Sequence, residues 1–326
     1  PEPEGRGAYA AMNAALERAA LKPAEIDYIN LHGTGTRAND AAEDKAVCSL
    51  FGLDTPCSST KGATGATSNP TIVHEVLNKE SGHWVPRVHE LAAQHPTWSE
   101  VELTWALIEK MAARGAAVLQ PVFEREAGRK GRLSVQLNPQ NYRDPERMVE
   151  QAVRFNELAP NILVKFPATA AGIAGLEEAT YRGISINATV NFTLPQALAV
   201  AEAVGRGLER RARAGMDAST VTPICTLMIG RLDDWVKVLV ERDDIALDPG
   251  AANWAGIAVF KRAYWLFQER GYEATILIGG MRGHYQLTEL MGGDMVLTVA
   301  PAMQAAIIEK GYTLRRTIDE PVAPDL

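Results

Sequence analysis

Asn161-Ile-Leu-Val-Lys-Phe-Pro-Ala-Thr169 is the stretch that decides the fold. Its apolar run of strand-length is what a parallel strand buried on both faces looks like. Lys165 interrupts that run. Burying an ammonium group costs several kcal/mol unless it is paired, so a lysine in such a place tends to shed its proton and its pKa falls below about 10.4. A desolvated neutral amine at the C-terminal end of a barrel strand is a nucleophile that can attack a ketone and form a Schiff base. The alternative is a lysine paired with a carboxylate, and the strand alone leaves both readings open.

Outward from this strand the chain alternates short β-branched runs with alanine-rich helical stretches. Strands are predicted at Ile26–Leu31, Ala66–Ser68, Leu133–Leu137, Ile162–Phe166, Ile184–Val190, Pro223–Met228, Ala274–Ile278 and Met295–Val299. Helices are predicted at Pro145–Leu158, Pro195–Ala214, Trp254–Arg270 and Ala302–Lys310. Strand followed by helix, repeated, is the pattern of an α/β parallel sheet or barrel, and the span from Ala66 to Leu326 is close to the ~250 residues of a (β/α)8 barrel. Thr71–Lys130 breaks the rhythm and reads as two or three helices, one of them over Val101–Arg114. The first 65 residues differ again, with two Gly/Thr-rich loops, His32-Gly-Thr-Gly-Thr36 and Ser58-Ser-Thr-Lys-Gly-Ala-Thr-Gly65.

Composition excludes several classes of function. The chain of 326 residues is 46% hydrophobic, enough to bury a large core, and its apolar stretches stop well short of a membrane helix. It opens Pro1-Glu2-Pro3-Glu4 rather than with a signal peptide, so a cytoplasmic protein is expected, and the missing initiator methionine suggests a piece of a longer reading frame. A net charge of −7 with scattered lysine and arginine argues against a nucleic-acid surface. The four arginines of Arg206–Arg213 read as a solvated helix face. Cys48, Cys57 and Cys225 have neither disulfide nor zinc spacing and read as small buried hydrophobes, and the histidines show no metal-ligand spacing.

The strand ends supply a set of polar groups: Asn69, Gln136, Lys165, Asn187, Thr189, Thr226, Arg231 and Arg282. They come from different strands, which is how a barrel assembles an active site at its C-terminal face. Asn187 and Thr189 are two apart and share a strand face. Any one of them alone could be a hydrogen-bonded core group.

Four ordered motifs carry a resemblance: Gly65-Ala-Thr-Ser-Asn-Pro-Thr-Ile-Val73, Ile162-Leu-Val-Lys-Phe-Pro-Ala-Thr-Ala-Ala-Gly172, Gly183-Ile-Ser-Ile-Asn-Ala-Thr-Val-Asn-Phe-Thr-Leu-Pro-Gln-Ala197 and Gly230-Arg-Leu-Asp-Asp-Trp235. Together they resemble the transaldolase family over about Ala66–Pro301. The resemblance implies a (β/α)8 barrel that transfers a dihydroxyacetone unit between sugar phosphates in the pentose phosphate pathway, without metal or organic cofactor. It implies that Lys165 forms the imine, Asn69 and Asn187 hold the substrate, and Thr189 and Thr226 orient the catalytic water and the sugar. Arg231 and Arg282 would bind the phosphate, a use that suits the guanidinium fork.

Two departures stand out. The family commonly has a glutamate where this chain has Gln136, which can position a water but cannot act as a base. The first-strand aspartate that takes the substrate's C4 hydroxyl proton has no counterpart. In its place, Pro3-Glu-Gly-Arg-Gly7, Asp27-Tyr-Ile-Asn-Leu-His-Gly-Thr-Gly-Thr36 and Thr60-Lys-Gly-Ala-Thr-Gly65 resemble the C-terminal part of a β-ketoacyl-acyl-carrier-protein synthase. His32 and Lys61 match that family's motifs, but Ala66 stands where a second histidine belongs and the nucleophilic cysteine is missing. This part should be inactive alone. The expected division is therefore residues 1–65 and 66–326, with a seam in Lys61–Asn69.

The Ile26–Leu31 strand with a helix at Asn39–Phe51 is expected to fill the first barrel position, pairing with Met295–Val299. His32 then becomes a candidate base near the missing carboxylate. The alternatives are a synthase fragment with an acyl carrier protein as partner, or an inactive fusion product. The sequence leaves the oligomeric state open, a homo-oligomer included.

Overall fold

The computed structural model describes residues 4–25, 29–30, 45–47, 49–51, 57–58, 65–248, 250–300, 303–304, 307, 310 and 315–322. They fall into two compact units, Pro1–Ser68 with Val73–Leu133 and Asn69–Ile72 with Ser134–Leu326.

In the first unit, β1 (Ile29–Asn30) pairs in parallel with β2 (Cys57–Ser58) in a two-stranded sheet of its own. This corrects the expectation that Ile26–Leu31 pairs with Met295–Val299. Strand backbone must find hydrogen-bond partners, and here it finds them within its own segment. Thr71–Lys130 holds three helices, Pro70–Lys79, Ser81–Gln94 and Glu100–Arg125. Trp84, Leu91 and Leu107 form a small core beneath Val76, Leu77, Val88, Leu103, Ala106 and Met111. The last helix starts at a capping box, where Ser99 accepts from the Glu102 amide and the Glu102 carboxylate accepts from the Ser99 amide. It runs past the expected end at Arg114 and through Pro121, because its buried stripe continues through Ala116, Leu119 and Val122.

The remaining strands are β3 (Gly65–Thr67), β4 (Arg132–Gln136), β5 (Ile162–Pro167), β6 (Ile186–Asn191), β7 (Ile224–Met228), β8 (Thr275–Gly279) and β9 (Val296–Leu297). They form one seven-stranded sheet in chain order, and β5 to β9 pair in parallel throughout. This is an α/β sheet of barrel type with seven strands among the described residues, against the eight expected. Helices Pro145–Asn156, Ala170–Tyr181, Leu194–Arg213, Ile229–Arg242 and Ala255–Arg270 follow β4 to β7. The helix expected at Ala302–Lys310 lies largely outside the described residues, as does the one at Asn39–Phe51.

Both faces of the second unit's sheet are buried, and they differ in chemistry. On the helix side lie Val164, Phe166, Ile186 and Ala188, each fully buried. On the inner side, Leu163, Ile224 and Leu277 form an apolar layer with Val296 packed against it. One pleat further along β5 and β7, that inner face carries Lys165 and Thr226.

The loops after the strands serve as helix caps. Thr169 accepts from the Gly172 amide at 3.0 Å, and Thr193 with Gln196 forms a second capping box. Gly172 is needed here because a Cβ would stand 1.8 Å from the Pro167 carbonyl oxygen. Arg206 and Arg210, on the expected solvated face, reach Glu177 and Glu178 on the preceding helix. No helix among the described residues is long and apolar enough to cross a membrane.

Phe166 is fully buried against the Ala170–Tyr181 helix, its ring edge 3.2 Å from where a Cβ on Gly175 would sit. Replacing it with alanine should lower the unfolding free energy by about 3–5 kcal/mol, measured by urea denaturation.

Candidate active site

Lys165 is 8% exposed, and desolvation pulls its pKa down from near 10.5 to about 8. Its strand neighbour in register is Asn187 of β6. Asn187 reaches both ways across the inner face: its Nδ2 donates to Ser134 Oγ of β4 at 3.0 Å, and its Oδ1 accepts from Thr226 Oγ1 of β7 at 2.7 Å. The two bonds fix the amide's orientation while using one of its two N–H groups and one of its oxygen's two lone pairs. All four side chains are buried, with Ser134 at 3%, Asn187 at 2% and Thr226 at 6% exposure.

Thr189 lies one pleat beyond Asn187 and is buried, with a weak 3.8 Å contact from its hydroxyl to Met228 Sδ. The strand then breaks register between Ala188 and Asn191, and Val190 takes a left-handed φ of 55°. A β-branched residue is strained in that conformation. Gln196 Nε2 holds the kink by donating to the carbonyls of Val190 (3.2 Å) and Ala168 (3.1 Å). Asn191 is fully buried and donates to Cys225 Sγ at 3.2 Å. Cys225 is fully buried, as expected, and burial pushes its pKa up to about 12, so it is no nucleophile.

Arg231 and Arg282 follow the ends of β7 and β8 and converge on one carboxylate. Arg282 donates from Nε and Nη2 to Asp234, the shorter bond being 2.6 Å, and Arg231 Nη1 lies 3.8 Å from the same oxygen. The hydrogen bonds from Arg282 hold Asp234 below the usual carboxylate range, and Asp234 in turn raises Arg282. Gly230 permits this approach, since a Cβ there would lie 2.1 Å from the Gly280 carbonyl oxygen and 2.8 Å from Arg282 Cγ. Beneath them Asp233 is fully buried and accepts from the Gly256 amide (2.7 Å) and Gln286 Nε2 (2.6 Å). Gln286 Oε1 accepts from the Arg282 amide at 2.6 Å, so Asp233 steadies the Arg282 backbone. Burial raises the Asp233 pKa against these bonds.

The structure thus brings Lys165, Asn187 and Thr226 together with Thr189 above them, and it pairs Arg231 with Arg282. Gln136 is half-buried at the end of β4, on the same face as Ser134. Asn69 stands apart in one respect: its Oδ1 accepts from the Ile72 amide at 2.9 Å and so begins the Pro70–Lys79 helix. His32 lies outside the described residues. Ser134, Asp233, Asp234 and Gln286 went unassigned in the sequence. Spacing could have found two of them, since Ser134 stands one pleat before Gln136 and Asp234 one helical turn after Arg231. Among the described residues no His/Cys/Asp/Glu group could hold a metal ion.

Residues 54–324 match the family described as transaldolase/fructose-6-phosphate aldolase, and residues 1–76 match the β-ketoacyl synthase C-terminal domain. The chain belongs to the transaldolase/fructose-6-phosphate aldolase family. Similar curated proteins include transaldolases of Thermobifida fusca, 36% identical over 64% of this chain and 56% of theirs, and of Mycobacterium ulcerans, 30% identical over the same shares. A transaldolase of Thiobacillus denitrificans is 30% identical over 71% of this chain and 62% of its own. The chain thus spans little more than half the length of the relatives it matches.

The depressed pKa of Lys165 has a consequence for stability. Between pH 8 and 10.5 the unfolded chain binds this proton and the folded chain does not. Stability therefore rises with pH across that window, by on the order of 3 kcal/mol from this residue. Urea unfolding of wild type and Lys165→Met at both ends of the window should show the rise in the wild type and its loss in the variant.

Proposed function

We propose that this chain performs transaldolase-type chemistry, transferring a dihydroxyacetone unit between sugar phosphates through a Schiff base on Lys165. The observation that carries the reading is the desolvated amine, with its pKa near 8, set beside an oriented amide and hydroxyl on neighbouring strands. The neutral amine attacks the ketose carbonyl, and the carbinolamine loses water to give the imine. When the C3–C4 bond breaks, its electron pair moves into the imine, leaving an enamine on Lys165 and releasing an aldose phosphate. The enamine then attacks an acceptor aldose phosphate, and hydrolysis frees the amine.

Asn187, its amide fixed by Ser134 and Thr226, presents hydrogen bonds to the substrate hydroxyls beside the imine carbon. Thr189 and Thr226 orient the water that enters and leaves, and Gln136 positions it without taking its proton. Asn69 contributes through its amide nitrogen, its oxygen being engaged at the helix start. Arg231 and Arg282 take the phosphate. The C4 hydroxyl proton needs a base that the residues named here do not supply, so bond cleavage is impaired while imine formation survives. The first 65 residues are read as a synthase-like segment with no acyl-transfer chemistry of its own, joined to the barrel near residue 65.

Borohydride trapping with fructose 6-phosphate, followed by peptide mass spectrometry, tests the reading. An adduct on Lys165 is expected, absent in Lys165→Met, with a trapping rate that falls about tenfold per pH unit below 8. Turnover to free aldose phosphate should lag far behind adduct formation. An adduct elsewhere, or none, would refute the imine.

A further inference from the structure

Asp234 stands where a substrate anion would be expected to compete with it. The atoms it contacts say otherwise. A guanidinium group has five N–H donors arranged along two usable edges. Asp234 takes the side edge of Arg282 through Nε and Nη2, and the Gly280 carbonyl takes one proton of Nη1 at 2.9 Å. One proton on Nη1 and one on Nη2 are left for the end edge, and neither has an acceptor among the described residues. Arg282 keeps 35% of its side chain exposed, so this edge can meet a ligand.

The same carboxylate also draws in Arg231, whose side chain is 62% exposed and has no other ion pair among the described residues. Two guanidinium groups this close repel each other, and one shared carboxylate offsets that repulsion before any ligand arrives. Counting the neighbours that act on the pair, Arg231, Arg282 and Lys237 face Asp233 and Asp234, three cations against two carboxylates, so the cluster stays net positive. A phosphate then meets an oriented fork and does not have to assemble it.

Resting on the phosphate role of Arg231 and Arg282 proposed above, we propose that Asp234 is a positioning residue. It clamps the side edge of Arg282 and gathers Arg231 so that the end edge is presented to the substrate phosphate, giving the site its preference for phosphorylated ketoses.

The test uses the full chain and calorimetric titration with inorganic phosphate, which does not depend on Lys165 chemistry. Asp234→Ala should weaken phosphate binding about tenfold or more, and Asp234→Glu, which keeps the carboxylate, should recover most of the loss. In borohydride trapping, Asp234→Ala should raise the half-saturating fructose 6-phosphate concentration to a similar degree. Its maximal trapping rate and its response to unphosphorylated dihydroxyacetone should stay unchanged. A general loss of fold would move all of these together. If Asp234→Ala binds phosphate as well as or better than wild type while Arg282→Ala binds it worse, the positioning role is overturned and the phosphate site stands. If neither variant alters phosphate binding, or the wild type binds none, the phosphate site falls and the positioning role falls with it.

Discussion

A parallel sheet covered by helices on its outer face must still fill its inner face with side chains, and on the face described here that filling changes character within one pleat. Leu163, Ile224 and Leu277 close the lower level without a polar atom. One step along the strands, Lys165 and Thr226 occupy the next level with Asn187 between them. The apolar level keeps water away from the lysine, and that desolvation lowers its pKa to about 8. A lysine left in water would stay almost wholly charged at neutral pH and be a poor nucleophile. The chemistry proposed for this chain rests on that change of layer.

The polar level is costly unless its groups are paired, and the Ser134–Asn187–Thr226 chain shows how the cost is met. It links β4, β6 and β7 across β5, so the amide next to Lys165 cannot turn. The arginine pair is supported from two directions. Asp234 meets the guanidinium groups from the front, while Asp233 and Gln286 hold the backbone of Arg282 from inside the fold. Adjacent aspartates on one helix thus face different environments, one buried and one at the surface, because successive helical positions point about 100° apart.

Much of this was legible in the chain. The lone charge in the Ile162–Phe166 run, the period-two spacing of Asn187 and Thr189, and the glycine before Arg231 each marked a strand end that carries polar side chains in the structure. Ser134 and Asp234 were not found, because serine and aspartate are common and nothing local shows what lies across from them. Asn69 was placed at a strand end, yet its side-chain oxygen also caps a helix, a local competition that short polar residues often resolve in favour of the backbone. The first-strand expectation failed for a related reason. A short β-branched run announces a strand but not its partner, and Ile29–Asn30 pairs with Cys57–Ser58.

Sequence alone determined the alternation of strands and helices, the barrel-type order and the place of the buried lysine proposed as nucleophile, because hydrophobic period and a buried charge are properties of neighbouring residues. Tertiary structure decided which polar groups meet: that Asn187 bridges Ser134 and Thr226, and that Arg231 and Arg282, 51 positions apart in the numbering, share Asp234. Those meetings depend on strand register and on the close approach of Gly230, in the first turn of the Ile229–Arg242 helix, to Gly280 after β8. Both are set by packing across the sheet and are not written in any single stretch of the chain.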